Sequence, residues 1–356
     1  MPTDTRAASE AERVLRAQAG DLEARLAASN RIYADAVVRA YLAEVTDRLL
    51  RTKDPKATGA VQPYVLTDAA ANAFMLPNGA LFITTGLMAR LDNEAQLATV
   101  IGHELSHFLN RDNLRSRRAA DRAKRKAAIM NFFTLGLAES ITEDRQMADV
   151  HRHSRNQELR ADSEGLKMMM AAGYAAAAAE DVFEHWVEER IEGTEQVSFR
   201  SHPRLVERAA AYKMLANAGS RAAKGRLDAE HYERAIGKLL LDHAAAAIGR
   251  RDIEGAAFAL DRHLARHPEH ARAWFLRGEM ARLGGPGTRD SALEAYERAG
   301  RLPNPPAALY KSLGLLHRQR GEHRLAAVSL QRYLQLEPDA VDAPILRGYI
   351  AEPAPG

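Results

Sequence analysis

Val100-Ile101-Gly102-His103-Glu104-Leu105-Ser106-His107 constrains the fold more tightly than any other stretch of this 356-residue chain. Its two histidines stand four residues apart, about one turn of α-helix, so on a helix both project from one face and can share a metal ion. Glu104 lies beside that face, where a carboxylate can serve as general base toward an attacking water. Two helical histidines can also be a solvated or core-capping pair, and the surrounding sequence has to decide between the readings.

The chain contains no cysteine, which removes disulfides, thiol catalysis and cysteine-held zinc together. Any zinc would therefore need histidine and carboxylate ligands. A net charge of +3 is too small for this length to point to nucleic acid, and no nucleic-acid-binding motif accompanies it. No apolar run reaches the roughly 18 residues needed to cross a bilayer. Met1-Pro2-Thr3-Asp4 lacks the charged-then-apolar pattern of a secretion signal, so the sequence reads as cytoplasmic or as lacking a leader.

Abundant alanine and sparse aromatics favour helices. Ser9 and Glu12 read as a capping box, and a second helix is expected over 35–50 with Val38, Tyr41, Leu42, Val45 and Leu49 on one face. Tyr64-Val65-Leu66 reads as a strand. Asn72-Ala73-Phe74-Met75-Leu76 then runs into Pro77-Asn78-Gly79, a hairpin signal with 80–85 as the returning strand. Asp92 or Asn93 can cap the histidine helix, whose apolar side is Leu97, Val100, Ile101, Leu105 and Phe108. Gly102 costs that helix about 1 kcal/mol relative to alanine, a cost tolerated where something approaches the backbone closely.

A basic run from Arg115 to Lys126 leads into apolar residues through Leu137. It fits a lid over the site, a helix lying on an anionic membrane surface, or an ordinary packed helix with a solvated face. In the next helical stretch, over 144–172, Glu158 and Asp162 are again one turn apart and face the same way. The third protein ligand of a two-histidine zinc site is often a glutamate from a second helix, and an aspartate can accept a hydrogen bond from a ligand histidine. His151 and His153, at i and i+2, point apart on a helix and make poor competitors. Ser201-His202-Pro203 breaks the helical pattern and sets His202 in a rigid turn.

Asn72-Ala73-Phe74, Pro77-x-Gly79, Gly86-Leu87, His103-Glu104-x-x-His107, Glu158-x-x-Ala161-Asp162 and Ser201-His202-Pro203 with Arg208 follow one another in an order that resembles metallopeptidase family forty-eight. These are the gluzincins that include the CAAX prenyl endopeptidases and the heat-shock protease HtpX. Those relatives carry transmembrane helices, and the chain looks closer to the soluble periplasmic branch with a tetratricopeptide tail, the BepA (YfgC) type. The resemblance covers about residues 10–215. It implies His103, His107 and Glu158 as ligands of one Zn2+, Glu104 as general base, and Asp162 and Arg208 as residues behind them. It also implies Asn72-Ala73 as an edge strand that pairs with extended substrate. His202 either donates to the oxyanion or approaches the zinc in the resting state, the latter being preferred. Leu159-Arg160 departs from the family, many of whose members have a second glutamate there.

The tail shows a period near 34 residues. A repeat starting at Ala307 places Tyr310, Leu313, Gly314, Gly321, Ala326, Leu330 and Pro338 at tetratricopeptide positions. A second, from Ala271, places Trp274, Gly278, Ala292, Tyr296 and Ala299, and a degenerate one starts at Gly237. The expected architecture is therefore α+β and mostly helical: a zincin-like peptidase domain with a small β-sheet over 1–218, a linker over 219–236, and an all-α tetratricopeptide solenoid over 237–356. The expected activity is zinc-dependent cleavage of misfolded or stalled envelope proteins in a periplasm, with the tail recruiting substrate or a protein partner. An adaptor or chaperone working through the tail, with a silent metal site, is the competing expectation.

Overall fold

The computed structural model of the chain describes residues 10–112, 155–182 and 225–351. It divides into two compact units, 1–236 and 237–356. No helix among the described residues is long and apolar enough to cross a membrane.

The first unit begins with α1 (Glu10–Ala27) and α2 (Ala36–Arg51). Asp35 caps α2, its side chain accepting from the amides of Val37 and Val38 at 3.0 and 3.2 Å. Val38, Tyr41, Leu42, Val45 and Leu49 are all buried, as their helical spacing requires. Three strands follow, β1 (Gln62–Leu66), β2 (Ala73–Met75) and β3 (Ala80–Thr84). The Pro77-Asn78-Gly79 turn joins β2 and β3 as an antiparallel hairpin, with Gly79 at φ 100°, a left-handed value that suits glycine.

Strand β1 pairs in parallel with β3, giving the order β1-β3-β2 and leaving β2 at an edge. This register sets Tyr64, Phe82 and Phe74 side by side across the sheet. Their rings stack at 5.0 and 5.1 Å, and Leu15, Ala19, Leu22 and Leu26 of α1 pack into the same cluster. A short helix, α3 (Thr85–Arg90), was not expected from the sequence. Thr84 caps it by accepting from Leu87 N, and Gly86 fits there because a Cβ would stand 2.0 Å from the Ala69 carbonyl oxygen.

The histidine helix is α4 (Glu94–Leu109), capped by Asn93 rather than Asp92: the Asn93 side chain accepts from Gln96 N at 2.9 Å. The sequence suggested a helix with one apolar side, but every residue from Glu94 to His107 is buried. α4 is thus the central element of its unit, packed by α2, by β2 and most extensively by α5 (Arg155–Ala171). Gly102 meets α5 at Gly165, where a Cβ on either glycine would stand 2.9–3.0 Å from the other's backbone. The close approach that Gly102 hinted at is therefore another helix.

The second unit is helical throughout its described length. α6 (Ala229–Gly249) runs into it and is followed by α7 (Ile253–Arg266), α8 (Ala271–Leu283), α9 (Arg289–Arg301), α10 (Ala307–Gln319), α11 (His323–Leu336) and α12 (Ala343–Ala351). α8 packs on α9 and α10 on α11. In the first pair Gly278 lies against the Tyr296 ring, and in the second Gly314 lies against Leu330. A glycine on one helix thus admits a large side chain from the next, at matching positions of the sequence period.

Candidate metal centre

Helical geometry sets the histidine pair, and the packing of α5 on α4 completes it. His103 and His107 are one turn apart, with ring centroids 4.6 Å apart and Nε2 atoms 3.1 Å apart. Glu158, in the first turn of α5, brings Oε2 to 3.6 Å from His103 Nε2 and Oε1 to 3.3 Å from His107 Nε2. The three side chains are at most 4% exposed, and they form a group that could hold a metal ion. Four donors about 2.0–2.1 Å from a tetrahedral zinc lie about 3.3 Å from one another, so these separations fit zinc. Two imidazoles and one carboxylate supply three of the four ligands of a tetrahedral zinc.

The outer nitrogens of the two rings are held as well. His103 Nδ1 lies 2.8 Å from Asp162 Oδ1, one turn along α5 from Glu158. His107 Nδ1 lies 2.9 Å from Asp112 Oδ2, in the turn that ends α4. A carboxylate can only accept, so each contact places the proton on Nδ1 and leaves Nε2 for a metal. Arg160 donates to the other oxygen of Asp112. Glu164 accepts from Ser106 Oγ at 2.9 Å and Asn110 Nδ2 at 2.7 Å, adding a further clasp between the two helices.

Burial works against a charge on His107, but the carboxylates of Asp112, Glu158 and Glu104 outweigh it and raise the pKa to about 9. Burial likewise opposes the charge on Asp112, and the hydrogen bonds from His107 and Arg160 still hold its carboxyl below the usual range. A pocket that keeps an extra proton on an imidazole is one whose negative field would also favour a divalent cation. Glu104 is 4% exposed on the same turn of α4 as the histidines, close enough for its charge to act on His107.

Residues 37–216, just over half of the chain, match the family described as Peptidase family M48. The chain belongs to peptidase family M48. Its first unit is therefore a metallopeptidase domain, and the helix pair that assembles His103, His107 and Glu158 lies within the matched span. Among curated proteins the chain is 30% identical over 146 residues to the mitochondrial metalloendopeptidase OMA1 of Arabidopsis thaliana, covering 38% of this chain and 29% of that one. It is 45% identical over 53 residues to a protease HtpX homolog of Pediococcus pentosaceus, covering 14% and 17%. The chain thus spans less than a third of the length of these relatives.

Of the residues singled out from the sequence, the structure brings His103, Glu104, His107, Glu158 and Asp162 together on α4 and α5. Asn72 and Ala73 lie at the start of the edge strand β2, which packs against α4. His202, Arg208, His151, His153 and the segment 115–137 fall outside the described residues. Sequence reasoning missed Asp112, Glu164 and the reach of Arg160. The only signal for Asp112 was an aspartate five residues beyond His107, a spacing that helix geometry does not mark.

Proposed function

We propose that the chain is a zinc endopeptidase acting on unfolded or misassembled protein chains. The observation that carries this reading is the buried group of His103, His107 and Glu158, with Asp162 and Asp112 fixing the imidazoles from behind. Zinc held there would supply Lewis acidity to polarise the scissile carbonyl and the attacking water. Glu104 takes the proton from that water and passes it to the leaving amine, the role for which its burial beside the two histidines suits it.

An extended substrate would add to β2, an edge strand among the described residues, held by main-chain hydrogen bonds that tolerate many sequences. The side-chain oxygen of Asn72, buried and without a hydrogen-bond partner among the described residues, supports a polar contact there. In this reading His202 approaches the zinc in the resting enzyme, and Arg208, like Asp162, supports the ligands. The helix pairs of the second unit act as tetratricopeptide repeats that recruit substrate or a protein partner. A cavity of about 420 Å³ lined by Trp274, Arg277, Met280, Glu294 and Arg298 supports such recruitment. Envelope proteins in a periplasm are the proposed substrates.

Glu104→Gln tests the assignment. The variant should bind zinc as the parent does and fail to cleave an unfolded protein such as casein, while unchanged turnover would remove Glu104 from the mechanism.

A further inference from the structure

Helix α5 reaches the outer nitrogen of His103 directly and that of His107 at one remove. Asp162 reaches His103 Nδ1 from α5 itself, whereas His107 Nδ1 is met by Asp112 from the turn after α4, and Arg160 on α5 grips Asp112. The turn is shaped for this contact. Arg111, just before Asp112, sits at φ 55°, a left-handed conformation that a non-glycine residue rarely adopts, and its amide bonds back to the Phe108 carbonyl. Asp112 is fully buried, so its charge needs a partner, and both of its oxygens have one.

We propose that Asp112 and Arg160 are a positioning pair for the metal ligand His107. Arg160 claims Oδ1 and thereby turns Oδ2 to the imidazole, and Oδ2 holds the proton on Nδ1 so that Nε2 is the nitrogen presented to a metal beside Glu158 and His103. The proposal rests on the zinc reading of the site. A neutral imidazole carries its proton on one nitrogen and ligates through the other, so whatever fixes the tautomer fixes the ability to bind a metal.

The pair has a signature that a merely structural contact lacks. In D112N the Arg160 guanidinium takes the amide oxygen and leaves the NH2 facing His107. An NH2 can only donate, so it forces the ring proton onto Nε2, where it blocks the metal. Replacing Arg160 by methionine in the same chain frees the amide to turn its oxygen back to His107. The second substitution should therefore repair the first. Arg160 is 31% exposed, so methionine can be accommodated there.

Zinc affinity of the full chain, measured by competition with a chromophoric chelator, tests the proposal. D112N should bind zinc about tenfold to a hundredfold more weakly. The D112N/R160M chain should recover to within about threefold of R160M alone. Wild-type affinity in D112N, or a double variant weaker than D112N, would overturn the pair. His107→Ala is the control that separates the two levels. If the parent binds zinc no better than His107→Ala, the metal reading itself fails; if the parent binds tightly and D112N is silent, only the positioning pair fails. Should D112N not fold, zinc-loaded chains labelled with nitrogen-15 histidine decide on R160M. The His107 Nδ1 proton should exchange with water faster than in the parent, and equal rates overturn the proposal.

Discussion

Gly102 and Gly165 meet backbone to backbone at the crossing of α4 and α5, and a Cβ on Gly165 would stand 2.8 Å from the His103 amide nitrogen. The contact lies one residue before the first histidine and one turn beyond Asp162, so the spacing of the two helices sets the distance from Glu158 to both imidazoles. Gly165→Ala should raise helix propensity by about 1 kcal/mol and lose more than that to overpacking, a net destabilisation of about 1–2 kcal/mol. Zinc affinity should fall in parallel. Urea unfolding with and without zinc checks both, and a variant that is more stable and binds zinc unchanged would show that the helices can separate without cost to the site.

The adaptor reading and the peptidase reading both accept a bound metal, so occupancy alone does not divide them. Casein cleavage should stop when zinc is removed by a chelator and return on adding zinc in stoichiometric amount. Unfolding should also move to lower temperature in the metal-free chain, because a ligand that binds only the folded state stabilises it by mass action. Cleavage that persists after complete removal would transfer the activity to other residues, and no cleavage in either state would favour the adaptor.

Local geometry was legible in the sequence and tertiary geometry was not. His103 with His107, and Glu158 with Asp162, are each one helical turn apart, so their shared faces follow from the period of the helix. Asn78-Gly79 announced the hairpin for a similar reason, since the turn's left-handed residue favours glycine. The parallel pairing of β1 with β3 crosses from one element to another and left no mark in the pattern. Burial of α4 on all sides escaped notice because its glutamate, glutamine and threonine residues look like a polar face until their partners are known. Arg160, which reads as a departure from the family, turns out to match the buried charge of Asp112, a relationship set by two helices meeting.

Glu94, fully buried in the first turn of α4, gathers three donors from separate segments: Arg48 on α2, Tyr174 Oη at 2.6 Å and His231 Nδ1 at 2.8 Å. Burial pushes its carboxyl up, but Tyr174 and Arg48 pull it below the ordinary value of 4.5. The folded-state value is thus depressed, so its stabilisation is present above that range and is lost as pH falls through it. Arg48→Met leaves the buried carboxylate without its permanent cation and should cost about 3–5 kcal/mol at neutral pH. Part of that cost should disappear below pH 4, where Glu94 can take up a proton. Denaturant unfolding of parent and variant at pH 7 and pH 3.5 measures the difference, and an equal gap at both values would remove Glu94 as the cause.

His263 in the second unit makes the opposite case. It is 3% exposed, neither ring nitrogen has a hydrogen-bond partner among the described residues, and the rings of His267 and His270 lie 4.9 Å away. Burial, then the charges of His270, His267 and Arg272, lower its pKa to about 4 from the ordinary 6.5. Between those values the unfolded chain binds a proton that the folded chain refuses, so stability rises with pH across the window and falls on acidification. Arg272, whose charge acts on His263, is itself paired with Asp242 at 2.6 Å. The helix unit should therefore weaken steadily from pH 7 to pH 4.5. His263→Leu, which keeps an apolar side chain in that space and cannot be protonated, should flatten the decline. Calorimetric unfolding at several pH values reads the slope directly, and parallel curves for the two chains would place the acid sensitivity elsewhere.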